Sequence, residues 1–557
     1  MAPGLISRYW HTLRYLKPVQ FYGRFWFRFY KPKPELEVAP APRTMPSFWQ
    51  FPAAREPSLL GPEMFFFLSE EGKLSELAWD GAQRSKLWRY NQHYFDDLNA
   101  KDAGLRFEWH APLMQRWIDD NPPGQGSGWE PYPTSIRIVN WIKWALAGNQ
   151  LSAQCNNSLA IQARWLSRRL EKHLLGNHLF ANAKALVFAG CYFAGPEARR
   201  WLKIGFRILQ REVPEQILLD GGHFERSTMY HALALEDMLD LLNVLRCFDH
   251  SGETKSKYLQ SCIHDFMADW PDLIVRMIKW LNVMRHPDGE ISFFNDAALS
   301  VSPSCDSLLL YAQALGFEFD TTIRGSAYLP VSGYIRLSNS YASLFYDSAP
   351  IGPDYLPGHA HADTLSIELS LFGQRVFVNS GTSEYGLGPE RHRQRSTSAH
   401  NTVEVNGENS SEVWSGFRVA RRAYPFNVSM QTYLAYQVAD AWHDGYRRLS
   451  PSVIVGRRVS LYDKSLEIKD ILQGSFKSAV VRYFCHPHVL IEHDEHGQLF
   501  LKVAGRQFVH VTFEGARQVH IEEATWHPRF GMVMQNKCLV IEIESSTLIT
   551  RLDWSRH

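Results

Sequence analysis

Two histidines separated by one residue form the feature of this sequence with the clearest chemical use. His359 and His361 lie in residues 358–363, just before an alternating apolar segment. In an extended chain, residues i and i+2 project from the same face, so both imidazoles could meet one metal ion while Asp363 orients one of them. Surface histidines also share this spacing without any function. The pattern alone leaves both interpretations open.

Two other polar clusters stand at predicted helix starts. Asn177 and His178 follow a glycine and precede a long apolar run, so Asn177 is either a helix cap or part of an anion site at the helix N-terminus. In the second cluster, Glu225, Tyr230 and His231 surround the start of another helix. Tyr230 is either an acid–base group or a core residue with a satisfied hydroxyl.

Three arginines alternate with other residues in a polar segment, at Arg391, Arg393 and Arg395. Alternate residues of an extended segment share a face, and guanidinium groups on one face can bind carboxylate or sulfate through paired hydrogen bonds. Further arginines follow at positions 418, 421 and 422. We therefore expect an anion-binding rim here, with a solvated loop as the alternative.

Two periodicities divide the chain into the regions that must position these residues. Between about residues 80 and 290, apolar residues recur at spacings of three to five, which predicts successive helices. These helices could form a bundle, a solenoid or a closed ring of hairpins. After about residue 330 the period becomes two, as in residues 333–337 and 365–369, which predicts an antiparallel β-sandwich. The boundary is expected between residues 320 and 335.

The composition excludes several classes of protein. The 557 residues are 45% hydrophobic and 21% charged, which is typical of a folded globular protein and not of a disordered chain. The formal net charge is +1, so no global field attracts nucleic acid and no nucleic-acid partner is expected. Aromatic residues reach 13%, which suggests stacking on sugars as well as core packing. The seven scattered cysteines predict free thiols in a reducing compartment.

The beginning of the chain mixes basic and aromatic side chains. Residues 8–31 could lie on a membrane surface or pack across a neighbouring domain. No signal peptide is recognised, so the expected location is the cytoplasm, with non-classical export as the alternative. No stretch approaches about 18 consecutive apolar residues, so no transmembrane segment is expected.

Five motifs, in order along the chain, resemble the heparinase II/III family of polysaccharide lyases. They are NHLFANAKALVFAG, DGGHFERSTMYH, HPDGEISFFNDAA, GHAHADTLSIEL and SAHNTVEVNGENSSEVW. The resemblance implies an incomplete (α/α) toroid followed by an antiparallel β-sandwich, an α+β multidomain architecture that agrees with the periodicity. We accordingly divide the chain into an extension packing on the toroid (residues 1–80), the toroid (81–325) and the β-sandwich (326–557).

The resemblance also implies a reaction, the β-elimination of an acidic, uronate-containing polysaccharide to give 4,5-unsaturated uronate ends. A heparin- or heparan-sulfate-like glycosaminoglycan is favoured, with alginate or another bacterial polyuronate as the alternative substrate. Glu225, His231, Arg391, Arg393 and Arg395 are expected to contact this polymer. The alternative function is a non-catalytic carbohydrate-binding or surface-polysaccharide assembly protein of the same fold. A hydrolase is disfavoured because the required pair of carboxylates is not evident.

The catalytic roles of the family carry over to four positions. Asn177, with His178 beside it, matches the residue that neutralises the substrate carboxylate. Tyr230 matches the catalytic tyrosine and His359 the catalytic histidine. A tyrosine with a pKa near 10 suits the acid that protonates O4, and a histidine with a pKa near 6.5 suits the base that removes the C5 proton. For the opposite epimer at C5, Tyr230 would perform both steps.

A metal site is implied by the same resemblance. In metal-containing relatives, zinc is bound by the second histidine of the HxH motif, an aspartate after the next strand and the histidine before Asn-Thr. Here His361 and His400 match, but Asn379 stands in the position of the aspartate. A neutral amide holds a divalent ion less strongly than a carboxylate. We expect one structural zinc ion at these three residues, the alternative being a hydrogen-bonded His–Asn–His cluster, and no organic cofactor.

Overall fold

The computed structural model describes residues 3–44, 48–248, 256–320, 325–503, 505 and 507–555. Most of its helices precede residue 315. The helices are α1 (Pro3–Leu13), α2 (Pro18–Phe29), α3 (Leu74–Leu77), α4 (Lys86–Tyr94), α5 (Phe107–Asp120), α6 (Pro131–Leu146), α7 (Ala153–Arg168), α8 (Gly176–Tyr192), α9 (Gly195–Gln216), α10 (Thr228–Cys247), α11 (Lys257–Val283), α12 (Cys305–Ala314) and α13 (Pro389–Arg395).

The helices from α4 to α12 form two layers. The inner helices α6, α8 and α10 are buried on nearly all sides. The intervening helices α7, α9 and α11 each bury one side and expose the opposite side, as expected for an outer layer. The inner helices α4, α6, α8, α10 and α12 pack side by side in chain order. This arrangement is the incomplete (α/α) toroid that the resemblance implied, which confirms the fold expected for this region.

The chain after α12 consists mainly of strands, whose pairings are antiparallel. A five-stranded sheet has the order β4-β5-β6-β7-β8, an eight-stranded sheet the order β12-β13-β14-β15-β22-β19-β18-β17, and a four-stranded sheet the order β20-β21-β16-β9. The strands β1–β3 and β10–β11 form two small sheets. The strands are β1 (Leu59–Gly61), β2 (Met64–Phe67), β3 (Glu70–Lys73), β4 (Ala327–Leu329), β5 (Tyr334–Ser338), β6 (Ala342–Asp347), β7 (Ile367–Leu371), β8 (Gln374–Phe377), β9 (Val403–Val405), β10 (Val413–Trp414), β11 (Arg418–Val419), β12 (Pro425–Thr432), β13 (Tyr436–His443), β14 (Val453–Tyr462), β15 (Ser465–Gly474), β16 (Ala479–Phe484), β17 (Leu490–His493), β18 (Leu499–Val503), β19 (Gln507–Glu514), β20 (Ala516–Trp526), β21 (Met534–Ile543) and β22 (Thr547–Asp553).

The five-stranded sheet joins the toroid to the rest of the β-sandwich. β5, β6 and β7 are buried on both faces. On one face, Phe345 of β6 packs in a cluster with Trp280 of α11. On the other face, the hydroxyl of Tyr346 donates to the backbone oxygen of Arg457 in β14, at 3.0 Å. This double burial fixes the orientation of the two domains and therefore the shape of the cleft between them.

The helices α1 and α2 contact both domains. Tyr9 of α1 packs edge-on against Trp414 of β10, with ring centroids 5.0 Å apart. Phe27 of α2 lies 4.4 Å from the ring of His173, just before α8. The extension therefore contacts the β-sandwich as well as the toroid, and it exposes its opposite side. Among the described residues, no helix is both long and apolar enough to span a membrane.

Candidate active site

A cavity of about 1610 Å³ opens between the toroid and the β-sandwich. Asn177, His178, Glu225 and Tyr230 line it from the toroid, and His359 lines it from the β-sandwich. The volume exceeds the roughly 300–1,000 Å³ of pockets for small ligands, so the cavity can hold several sugar units. The structure thus brings five of the sequence-predicted residues to one surface.

Asn177 lies in the first turn of α8, after two residues with left-handed backbone. Leu175 has φ 63° and Gly176 has φ 54°. A Cβ on Gly176 would lie 2.5 Å from Leu356 and 3.3 Å from Oε1 of Glu225, so only glycine lets the chain enter the helix here. No side chain caps this helix start, which leaves its first N–H groups available to an anion.

His178, in the same turn, lies beside a buried carboxylate. Its Nδ1 is 3.2 Å from Oε1 of Glu171, and its ring is 4.6 Å from that of Tyr132. Burial by itself lowers the pKa of this imidazole, but the Glu171 carboxylate outweighs burial and the pKa of His178 is raised. His178 therefore accepts positive charge more readily than a free histidine, which suits a site for a substrate carboxylate.

Tyr230 lies in the first turn of α10. The Oγ of Ser227 caps this helix by accepting a hydrogen bond from the backbone N–H of Tyr230, at 3.2 Å. The Oη of Tyr230 lies 3.0 Å from the Oη of Tyr385, a cavity residue that no sequence signal had indicated. Burial raises the pKa of Tyr230 well above 10. The phenol therefore carries its proton at neutral pH and can act as an acid.

The ring of His359 lies 4.1 Å from the ring of Tyr230. Its Nδ1 is 2.8 Å from Oδ2 of Asp296, and its Nε2 is 3.8 Å from Oε2 of Glu225. An ionised carboxylate only accepts hydrogen bonds, so Nδ1 of His359 donates to Asp296, and in the neutral imidazole the lone pair is on Nε2. Nε2 is therefore the nitrogen that can take a proton from a substrate.

Asp296 connects the residues behind His359. Its Oδ2 bonds to His359 and to Arg391, the latter at 2.8 Å, and its Oδ1 bonds to His361 at 2.8 Å. Burial raises the pKa of this carboxyl, but Arg391 outweighs burial and the pKa is held well below its usual range. Asp363, the carboxylate expected to orient a histidine, accepts instead from the backbone of Asn295. That expectation is corrected, because Asp296 orients both His359 and His361.

The three alternating arginines do not form the expected rim of the cavity. They lie on α13, where residues two apart point to different sides. Arg391 is fully buried against Asp296, and Arg395 is buried with its Nε donating to a backbone carbonyl. Arg393 pairs with Glu390. The prediction that these three side chains contact the substrate is corrected, because all three have internal partners.

The side chain of His231 also does not line the cavity. Its Nε2 lies 3.0 Å from the backbone oxygen of Met277, its ring lies 4.1 Å from Trp280, and burial lowers its pKa to about 3. The prediction that His231 contacts the substrate is therefore corrected.

Across the described ranges, the Arg and Lys side chains that line the cavity without forming an ion pair are Arg24, Arg418 and Arg529. They replace the predicted rim as candidate contacts for substrate anions.

A second histidine cluster lies on the far side of Asp296. Nδ1 of His361 and Nε2 of His400 are 3.2 Å apart, and a carboxylate oxygen of Asp363 lies within 4.8 Å of both. The outer nitrogen of His361 bonds to Asp296, and the outer Nδ1 of His400 lies 3.3 Å from Oδ1 of Asn379. Asn379 thus supports His400 from behind and does not reach the space between the rings. Its predicted role as a metal ligand is corrected, and Asp363 is the third group able to reach an ion.

Two family models match the sequence. The model described as the heparinase II/III N-terminus matches residues 84–309, and the heparinase II/III-like C-terminal model matches residues 321–555. The chain belongs to the heparinase II/III family. The first match contains Asn177 and Tyr230, and the second contains His359, so the cavity unites residues from both halves of the heparinase II/III architecture.

Named relatives of this heparinase II/III protein are distant. A heparin-sulfate lyase of Bacteroides stercoris is 28% identical over 258 residues, which cover 43% of this chain and 37% of that protein. The FtsZ-localized protein C of Caulobacter vibrioides is 24% identical over 391 residues, covering 67% of this chain and 62% of that protein. The chain thus spans less than two thirds of either relative. The solved structure of heparinase III matches with a TM-score of 0.65 at 17% identity, over 83% of this chain and 76% of that one, and confirms the fold.

Proposed function

We propose that this heparinase II/III protein is a polysaccharide lyase that cleaves an acidic, uronate-containing polysaccharide by β-elimination. The observation that carries the proposal is the pairing of a protonated Tyr230 with His359, whose rings lie 4.1 Å apart in one large cavity. Elimination needs an acid and a base within reach of one sugar ring, whereas a binding protein needs neither.

The first requirement of this reaction is to control the charge on the uronate carboxylate. Removing the C5 proton adds negative charge beside a group that already carries one, and preorganised donors are the strongest means of stabilising it. The Asn177 amide and His178 provide such donors at the start of α8. Neither oxygen of Glu225 has a hydrogen-bond partner among the described residues, and burial raises the pKa of Glu225. When its carboxyl is protonated, Glu225 can donate a hydrogen bond to the substrate carboxylate.

The neighbouring side chains of His359 and Tyr230 then carry out the two proton transfers. Nε2 of His359 takes the proton from C5, the electron pair of the C5–H bond forms the C4–C5 double bond, and the C4–O4 bond breaks. The hydroxyl of Tyr230 protonates the departing O4. The raised pKa of Tyr230 favours this division over one in which Tyr230 performs both transfers.

A heparin- or heparan-sulfate-like glycosaminoglycan is the substrate that we propose for this site. Support comes from the named lyase relative and from the cavity volume. Further support comes from Arg24, Arg418 and Arg529, because guanidinium groups free of internal carboxylates can bind sulfate or uronate through paired hydrogen bonds. Alginate would engage the same acid–base pair, but it offers these arginines carboxylates only and no sulfate groups.

A substrate panel tests the proposal. Heparin, heparan sulfate, hyaluronan, alginate and polygalacturonate are incubated with the protein, and the ultraviolet absorbance of the conjugated unsaturated uronate is followed. We expect the absorbance to rise with the heparin-type polymers and to stay flat with the Tyr230→Phe variant. A rise in absorbance with alginate or polygalacturonate alone would support the lyase activity but assign it a different substrate. Binding of a polymer without any rise would identify a non-catalytic carbohydrate-binding protein.

The Glu225→Gln variant tests the raised pKa of the Glu225 carboxyl. Because the folded-state pKa of Glu225 is raised, its contribution to stability is fully present below the unfolded value of 4.5 and is lost as the pH rises through the folded pKa. Glutamine stays neutral at every pH. We therefore expect the variant to melt above the wild type at neutral pH, and the difference to shrink toward pH 4.5. The exposed Glu495→Gln change is the control, and a difference independent of pH would contradict a raised pKa.

We further propose a structural zinc ion held by His361, His400 and Asp363. Because Asp296 and Asn379 bond to the outer ring nitrogens, the two inner nitrogens face each other as lone pairs at 3.2 Å, which favours a cation between them. Burial lowers the pKa of His361 to about 4 and of His400 to about 3, so at neutral pH no proton binds to the two inner nitrogens. Two nitrogens on a tetrahedral zinc ion stand about 3.3 Å apart.

Two alanine variants separate the zinc ligand from the base. His361→Ala should remove the bound zinc and lower the melting temperature, a loss of about 2.7 kcal/mol when the metal is at 100 times its Kd. His359→Ala should lose turnover while keeping both the metal and the melting temperature. Elemental analysis and melting curves on the two variants measure these effects. Wild-type protein purified without metal, with equal melting temperatures for the two variants, would rule the zinc ion out.

A further inference from the structure

The outer side of α2 carries an exposed aromatic face, formed by Tyr22, Phe25, Trp26 and Phe29, and α1 exposes Trp10. The members of the face recur at spacings of three and four residues, so they share one side of the helix. Each ring is between 63% and 69% exposed, and the rings of Phe25 and Phe29 lie 4.5 Å apart. Exposed apolar patches of this kind are rare on monomeric soluble proteins and mark binding surfaces.

The opposite side of both helices is anchored to the protein. The side-chain nitrogen of Gln20 donates to the backbone oxygen of Tyr355 at 3.0 Å, and Arg169 donates to the backbone oxygen of Phe27 at 2.8 Å. Thr12, Gln20 and Phe27 line the cavity, whereas no member of the aromatic face does. The aromatic face therefore points away from the cavity and is held in place by the rest of the structure.

The charged residues of the segment that contains α1 and α2 have a single sign. Residues 1–34 contain seven Lys and Arg and neither Asp nor Glu. Within the part of the chain that the structure describes, Arg8, Arg28, Lys31 and Lys33 are exposed and form no ion pair. The remainder of the chain is net negative, so the positive charge is concentrated here. A second copy docked symmetrically on this face would bring these cations together, which opposes self-association.

We infer that the aromatic face docks on the anionic phospholipid surface of a bilayer, with α1 and α2 lying in the plane of the interface. Aromatic rings favour the boundary between headgroups and acyl chains, and Lys and Arg are attracted to anionic headgroups. The segment combines both features and contains no acidic residue to oppose them. Because the inner sides of the same helices line the cavity, docking would hold the cavity close to the membrane.

Vesicle co-sedimentation of the full chain tests this inference independently of any lyase activity. Wild-type protein should sediment with vesicles of phosphatidylglycerol and phosphatidylcholine in equal parts and not with phosphatidylcholine alone. The Trp26→Ser/Phe29→Ser variant should lose about tenfold or more in affinity. The Arg28→Glu/Lys31→Glu variant should lose at least about tenfold, and its residual binding should depend less on salt. Both should keep the wild-type melting temperature, since these side chains are exposed.

The matched control is Leu434→Ser/Leu490→Ser, which removes two exposed apolar side chains from the β-sandwich and should leave vesicle binding unchanged. Three results would overturn the inference. One is no binding of the wild type to anionic vesicles. Another is equal binding by the wild type and the aromatic variant. The third is a dimer, seen by sedimentation equilibrium without lipid, that the aromatic variant dissociates, because a second copy would then cover the face.

Discussion

Replacing Tyr230 by phenylalanine is expected to lower kcat by about 10²- to 10⁴-fold while leaving substrate affinity nearly unchanged. Only the hydroxyl that we propose as the acid for O4 is lost. The ring still packs beside His359, and the Ser227 cap is unaffected because it receives a backbone N–H. Initial rates from the absorbance of the unsaturated product, together with equilibrium binding of the same polymer, separate the two quantities.

The control for this change is Tyr192→Phe in α8. Tyr192 is also buried, and its hydroxyl donates to Asn156 at 2.9 Å, but it does not line the cavity. It should keep the wild-type rate, with at most the small loss of stability that follows the loss of one hydrogen bond. A Tyr230→Phe variant that keeps more than half of the wild-type rate would remove Tyr230 from the mechanism.

Replacing Asp296 by asparagine is expected to reduce both turnover and stability. The amide leaves the fully buried Arg391 without a counter-charge, which costs about 3–5 kcal/mol of unfolding free energy. It also no longer holds the proton on Nδ1 of His359, so Nε2 is not reliably free to act as the base. Loss of the orienting carboxylate of a catalytic histidine lowers the rate by about 10⁴-fold in serine proteases, and we expect about 10²- to 10⁴-fold here.

A second buried ion pair provides the control for stability. Asp470 of β15 pairs with Arg457 of β14, both side chains are fully buried, and neither lines the cavity. Asp470→Asn should destabilise the protein by a similar amount but keep normal turnover at a temperature where the variant remains folded. If both variants lose turnover equally at that temperature, the contribution of Asp296 is to folding and not to the position of His359.

The sequence predicts this site best where a functional residue stands at the start of a helix or next to a strand. Asn177 and Tyr230 follow glycine-containing turns and open apolar helices, and His359 precedes an alternating segment, so local pattern and motif agree. The helical and the β-strand regions were predictable for the same reason, because each periodicity runs over many elements, whereas the toroid was implied only by the resemblance to the family. The double burial of the five-stranded sheet was not, because alternation does not reveal which element covers the second face.

The partners of these residues were not predictable, because they come from distant segments. Asp296 precedes His359 by 63 positions, and Tyr385 follows Tyr230 by 155. The arginine segment was misjudged for a local reason. A spacing of two implies a shared face only in an extended chain, but Pro389 opens a helix here, and a proline at the first helical position is a recognisable signal.

The short connection between α1 and α2 restricts how far the cleft can open. α1 ends at Leu13 against the β-sandwich, and α2, which contacts both domains, begins at Pro18, so four residues join the two helices. An extended chain reaches at most about 3.3–3.6 Å per residue. While both helices stay docked, this tether limits hinge motion to a narrow range. A polysaccharide of the kind proposed above would then have to enter through the existing opening of the cleft, and the width of that opening would select against branched or folded chains before any chemistry begins.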